Sequence, residues 1–121
     1  MKKILIVDDE KNIRLTLRRS LESLQYEIHE ALTGEEAIEM MLQQKYDLIL
    51  LDLKLPGMSG LDVIRSMRNQ KIDTKIIIIS AHGTIESAVE SMKLGASDFI
   101  EKPFTPDDIR QIVLRHIEDR Q

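Results

Sequence analysis

Four short apolar runs punctuate the chain: ILIV at 4–7, LILL at 48–51, IIII at 76–79 and the shorter FI at 99–100. Runs without polar alternation are what strands buried on both faces of a parallel sheet look like. A fifth segment, YEIHEA at 26–31, alternates polar and apolar residues, as a half-covered edge strand does. The stretches between these five strands carry helical period. Ile13, Leu17, Leu21 and Leu24 share one face, as do Ile85, Ala88, Val89 and Met92, and Ile109, Ile112, Val113 and Ile117, so each of these segments predicts an amphipathic helix with an inward stripe.

Start and stop signals agree with that division. Thr33 and Glu36 have capping-box spacing, Gly95 stands where a left-handed cap would end the fourth helix, and Thr105-Pro106 reads as N-cap then N1, with Asp107 and Asp108 in the first turn. Strict βα alternation implies parallel strands joined by right-handed crossovers. The expected fold is an α/β, doubly wound, three-layer sandwich: a five-stranded parallel sheet with five helices. Ligands of such sheets bind beyond the carboxyl ends of the strands, where strand order reverses.

Composition narrows the function. A chain of 121 residues with 42% apolar content suffices for one domain, 1–121, with a real core. Without cysteine there is neither a disulfide framework nor a thiolate metal site. The opening MKKILIVDDE holds four apolar residues before three acids, too short a run for a signal peptide or a membrane span, so a cytoplasmic location is expected. A net charge of -4, from 17 basic and 21 acidic residues, offers no strong attraction for nucleic acid or an anionic membrane.

The residues just after each apolar run are Asp8, Asp9 and Glu10, then Asp52, Ser80, and Lys102-Pro103. If the strand order is 2-1-3-4-5, Asp8, Asp9 and Asp52 crowd the switch point and raise one another's pKa unless a cation joins them. Oxygen ligands without Cys or His favour a hard cation, Mg²⁺ being the usual one that keeps waters and awaits phosphate. With Lys102 across the gap, the rim has the parts of a phosphoryl site: Asp52 as nucleophile, Lys102 as cation, Ser80 as hydroxyl. Any one of these residues alone reads as a cap, a turn residue or a solvated side chain, and it is their joint placement that argues for a site. His29, His82 and His116 are scattered and never at i, i+4, which speaks against a His-based metal site. The methionines Met40, Met41, Met58, Met67 and Met92 read as packing residues.

The segments ILIVDDE, DLILLDLKLPGMSGLD, IIIISAHG and DFIEKPF together resemble the receiver domain of bacterial two-component response regulators, over the whole chain. The resemblance implies a flavodoxin-like fold of order 2-1-3-4-5 and phosphorylation of Asp52 by the phosphohistidine of a sensor histidine kinase or phosphotransfer protein. It implies Mg²⁺ bound by Asp9, Asp52 and the backbone carbonyl of Lys54, with Asp8 acting through water, and Lys102 on a phosphoryl oxygen. Ser80 would move towards the phosphoryl group and Phe99 would swing into the space it leaves. Pro103 would follow a cis peptide bond. The output would be a shift in the face made by the fourth helix, fifth strand and fifth helix, a face also suited to homodimer formation. The run SAHGTIESAVESMKLGASDFIEKPF resembles receivers that precede sigma-54-dependent (NtrC-like) activators, so control of transcription or of a downstream relay is expected. The last helix, IRQIVLRHIEDRQ, ends there or continues as a connector, and a piece of a longer regulator is the expectation.

Within that resemblance, Lys54 and His82 occupy the two positions that tune phosphoryl lifetime, and their bulk is expected to obstruct the attacking water. Three rivals are weaker. A dehalogenase-type phosphatase needs a second Asp where Lys54 stands, a flavin or nucleotide carrier needs a Gly- or Ser/Thr-rich loop where DDEKN stands, and a phosphorylation-independent scaffold would have a degraded acidic set. The reading is therefore of a signalling domain that assists its own phosphorylation, not of an enzyme acting on other substrates.

Overall fold

The computed structural model describes residues 1–81 and 85–117. The chain runs β1 (Lys3–Val7), α1 (Lys11–Leu21), a 3-10 turn (Glu22–Leu24), β2 (Glu27–Ala31), α2 (Gly34–Gln43), β3 (Leu48–Asp52), α3 (Gly60–Asn69), β4 (Lys75–Ser80), α4 (Ile85–Lys93), β5 (Asp98–Glu101) and α5 (Pro106–Ile117). All pairings are parallel and the sheet order is β2-β1-β3-β4-β5. The three longer apolar runs are therefore the sheet's centre, β1, β3 and β4, while the alternating segment β2 and the short FI run in β5 form its two edges.

Each run is apolar throughout because each strand feeds two cores. Leu5, Val7, Ile49, Leu51, Ile76 and Ile78 pack on one side with Ala37 and Met41 of α2 and Val63, Ile64 and Met67 of α3. The residues between them, Ile4, Ile6, Leu48, Leu50, Ile77 and Ile79, pack on the other with Leu17 and Leu21 of α1 and Ile109, Ile112 and Val113 of α5. Each fully buried side chain of this size stabilises the fold by about 1.5–3 kcal/mol before entropy is counted.

The helix boundaries follow their sequence signals. The Thr33 side chain accepts the Glu36 N–H at 3.1 Å, while Glu36 Oε1 accepts the N–H of Leu32 rather than that of Thr33. Thr105 and Asp108 form a reciprocal box (2.9 and 3.0 Å), and Gly95 takes φ of 106°. A second reciprocal box, Ser59 with Asp62, opens α3.

The fourth helix departs from the sequence expectation. Ile85, Val89 and Met92 do share a face, but it points outward, with exposures of 84%, 46% and 44%. The buried residue of α4 is Ser91, its hydroxyl donating to the Ala88 carbonyl at 2.9 Å. Polar clamps from α3 hold the helix: Arg65 reaches Glu90 at 3.4 Å, and Arg68 donates to the carbonyls of Leu94 (3.3 Å) and Gly95 (3.0 Å). Period tells which residues share a face; the rotation of the helix on the sheet decides whether that face is covered.

Candidate functional site

The register of the central strands builds the rim. Val7 of β1 is paired with Leu51 of β3, so the next residues, Asp8 and Asp52, emerge side by side at the carboxyl edge, both buried. On the far side β4 pairs with β5 up to Ser80 and Glu101, and the Lys102 N–H donates to the Ser80 carbonyl at 3.0 Å. Lys102 thereby projects back over the rim, preceding a cis Lys102–Pro103 peptide.

Its ammonium meets three carboxylates: Asp8 Oδ2 at 3.3 Å, Glu10 Oε1 at 3.3 Å and Asp52 Oδ2 at 3.5 Å. The backbone helps to hold the acids, since Lys54 N–H donates to Asp52 Oδ1 at 3.1 Å and Glu10 N–H to Asp8 Oδ1 at 2.8 Å. Beside them opens a cavity of about 260 Å³ lined by Asp9, Glu10, Asp52, Lys54, Ala81 and Lys102. A larger hollow of about 410 Å³ lies at the opposite rim, around Tyr46 and Lys71–Thr74, but Tyr46 turns its hydroxyl to His29 at 2.7 Å, and among the described residues no cluster of three acids converges there.

Electrostatics single out Asp52. Burial drives its carboxyl up, and the Asp8 carboxylate adds to that; the Lys54 N–H and the Lys102 charge offset only part, leaving a pKa of about 6. Asp8 is raised too, again chiefly by burial. Burial works against the Lys102 ammonium, but Asp52 and Asp8 outweigh it and lift its pKa. Three acids facing one lysine leave a surplus of negative charge in a poorly solvated cleft, which a divalent cation would neutralise.

The donor set fits a hard cation. Carboxylate oxygens of Asp8, Glu10 and Asp52 all lie within 4.8 Å of one another, with only oxygen donors, as Mg²⁺ requires. Asp9 is exposed and lines the cavity without belonging to that tight group. Glu10, which the sequence places on the rim but not among the expected ligands, is brought in by its contact with Lys102. The contiguous DDE was the signal available for it.

Ser80 is buried at the end of β4, and Phe99, half-buried on β5, packs against the α2–α3 side of the core. His82 lies outside the described residues, so the pairing expected for Lys54 and His82 has no structural counterpart here. His29 and His116 sit apart, His116 paired with Asp98 at 2.8 Å. Among the described residues, no helix is long and apolar enough to cross a membrane.

A doubly wound sheet with an acid-and-lysine cleft at its switch point defines a class of phosphoryl-handling domain. Within it, residues 4–114 match the response regulator receiver domain family, and the chain belongs to that family. It is 48% identical over 113 residues to the transcriptional regulatory protein ResD of Bacillus subtilis, covering 93% of this chain and 45% of that protein. It is 47% identical over 112 residues to SrrA of Staphylococcus aureus, covering 93% and 45%. The chain thus spans about half the length of these relatives. Among solved structures it resembles a CheY-like receiver from Methanospirillum hungatei (TM-score 0.91, 30% identity, 98% and 94% covered) and the receiver domain of NtrX from Brucella abortus (TM-score 0.89, 34% identity, 97% and 99% covered).

Proposed function

We propose that Asp52 accepts a phosphoryl group from the phosphohistidine of a sensor histidine kinase or phosphotransfer protein, and that the resulting charge switches the domain. The observation that carries this reading is the convergence of Lys102, from the far side of the rim, on the buried Asp52 and Asp8 beside an open cavity. A structural ion pair would not need three acids and an accessible hollow.

In the reaction, Asp52 Oδ attacks phosphorus as the phosphorus–nitrogen bond to the donor histidine breaks, leaving an aspartyl phosphate and a free imidazole. Lys102 answers one phosphoryl oxygen, and the Ser80 hydroxyl donates to another. Asp8, Asp9, Asp52 and the Lys54 carbonyl would hold Mg²⁺, with Glu10 close enough to join them, and the ion would supply the remaining neutralisation of phosphoryl charge. Departure of Ser80 from its resting place opens room that Phe99 fills, which couples the rim to β5 and α4.

The output surface is the α4-β5-α5 face. Its exposed Ile85, Val89 and Met92 support its use for contact with a second copy once phosphorylated. The regulatory names of the relatives support a role in controlling transcription through parts beyond this chain, in the cytoplasm, with no nucleic-acid contact by this domain itself. The NtrX neighbours are consistent with an NtrC-like subfamily. Lys54, and His82 with it, are assigned to phosphoryl lifetime: Lys54→Ala and His82→Ala should each dephosphorylate faster than wild type.

Intact-protein mass tests the central reading. Incubation with a small-molecule phosphodonor and Mg²⁺ should add one acid-stable, base-labile phosphoryl group. That adduct should be absent with EDTA and absent in Asp52→Asn. Its persistence in Asp52→Asn would overturn the assignment.

A further inference from the structure

We propose that Arg14 is a positioning residue for the acidic loop: it pins the peptide between Asp8 and Asp9 and so sets the affinity of the rim for Mg²⁺. The inference rests on the rim being an Mg²⁺-dependent phosphoryl site and names a residue through which the site is held in shape.

The geometry is a relay from the edge strand to the site. Arg14 stands in the first turn of α1, its N–H donating to the Glu10 carbonyl at 3.1 Å. Its guanidinium, 12% exposed, donates from Nε to Glu30 Oε1 of β2 at 2.9 Å and from Nη1 to the Asp8 carbonyl at 2.9 Å. The second oxygen of Glu30 takes Arg18 Nε at 2.7 Å, and Arg18 also donates to the Ile28 carbonyl at 3.1 Å. A carboxylate gripped by two arginines holds the Arg14 plane in one orientation, since a guanidinium donates in a rigid fork.

Asp8 itself is tied on both sides. Its N–H donates to the Ala31 carbonyl at 3.2 Å, and its carbonyl, beyond the last strand residue Val7, is taken by Arg14. The orientation of that carbonyl is the orientation of the Asp8–Asp9 peptide plane, the link to Asp9, which lines the cavity. Groups that orient metal ligands from behind typically change metal affinity by about 10- to 100-fold when removed.

The bland alternative is that Arg14 merely bridges α1 to β2. The two readings predict opposite outcomes for metal. On charge alone, removing a cation near crowded acids should tighten Mg²⁺ binding; loss of positioning should weaken it.

Mg²⁺ titrations of the whole chain, followed by backbone amide shifts at Asp9 and Lys54 at a temperature where every variant is folded, decide the matter. Arg14→Gln should raise the Mg²⁺ Kd about tenfold, and Arg14→Lys should move it the same way, because one ammonium cannot serve Glu30 and the Asp8 carbonyl in the same geometry. Glu30→Gln, which leaves Arg14 in place but loosens it, should weaken binding less, and the double variant should be no worse than Arg14→Gln alone. Should Arg14→Gln fail to fold, Arg14→Lys carries the test, because it keeps the cation and charge alone then predicts no change. An unchanged or tighter Kd, even with lowered stability, would overturn the positioning role. A wild type whose amides show no Asp52-dependent Mg²⁺ response would overturn both this role and the reading it rests on; a normal wild-type response with unaltered variants would overturn this role alone.

Discussion

Lys102 Nζ stands 3.5 Å from Asp52 Oδ2, although the two residues close different strands and β4 lies between them. That meeting is possible because parallel strands end on one edge, so residues at the ends of β1, β3, β4 and β5 line one cleft. It also makes the lysine the counter-charge to a carboxyl that burial has pushed upward.

Replacing Lys102 should separate metal binding from chemistry. Lys102→Met removes a cation that competes for the acids, so Mg²⁺ should bind more tightly, while phosphoryl uptake from a small donor should slow by on the order of 10²-fold, as for loss of one preorganised charge donor. Parallel titration and intact-mass time courses would show it. Uptake at the wild-type rate would remove Lys102 from the reaction.

Asp52 should make the fold less stable as pH rises. Its carboxyl goes from an ordinary 3.8 to about 6 in the folded chain, so between those values the folded state binds more protons than the unfolded one, and stability falls with increasing pH. In EDTA, Asp52→Asn should be more stable than wild type at neutral pH by on the order of 2 kcal/mol, a gap that closes towards about pH 4. Urea unfolding across that range checks it, and superimposable pH profiles would count against a poorly compensated carboxyl.

Gly60 sets how closely α3 approaches the end of β3. A Cβ there would lie 2.6 Å from the Asp52 carbonyl oxygen and 2.6 Å from Leu53 Cα, backbone atoms that cannot step aside cheaply, while Gly60 N–H donates to the Leu53 carbonyl at 2.9 Å. Gly60→Ala is expected to destabilise by about 1–3 kcal/mol and to weaken Mg²⁺ binding by shifting Asp52. Chemical denaturation together with Mg²⁺ titration would test both parts.

Asp98 should act in the opposite sense to Asp52. Burial raises its pKa, but the His116 hydrogen bond, the Phe99 N–H and the charges of His116 and Arg115 win, and the carboxyl is lowered overall. Its stabilisation is therefore present above the ordinary carboxylate range and lost as pH falls through the lowered value. Asp98→Asn should be less stable than wild type near neutrality, by on the order of 1 kcal/mol for this half-buried pair, with the difference vanishing in acid. Thermal melts at several pH values would reveal a constant offset if the pair contributes nothing.

The outward face of α4 offers a test that spares the fold. Ile85 and Val89 are exposed, so Ile85→Ser with Val89→Ser should change stability by no more than about 0.5 kcal/mol per site. Sedimentation of the phosphorylated protein should nonetheless show loss of self-association relative to wild type. Equal dimer formation by both would place the contact elsewhere.

The elements were legible in the sequence because their signals are local. IIII at 76–79 became the doubly covered β4, and Thr105-Pro106 opened α5 as its capping chemistry requires. The rim was legible too, once strict βα alternation put Asp8, Asp52, Ser80 and Lys102 at one edge. Glu10 and Arg14 were harder to see. Glu10 is pulled into the cluster by a lysine from the other end of the chain, and Arg14 reads from sequence as one more solvated helix charge until Glu30 and the Asp8 carbonyl are found on either side of it.

What the sequence determined by itself, then, was the succession of strands and helices and the chemical types gathered at the strand ends, since hydrophobic period and capping act over a few residues. The tertiary structure alone decided which acids share Lys102 and that the stripe of Ile85, Val89 and Met92 faces outward. It also decided that Arg14 reaches back to Asp8. Those outcomes depend on register between distant strands and on how each helix rotates against the sheet, and no local pattern carries either.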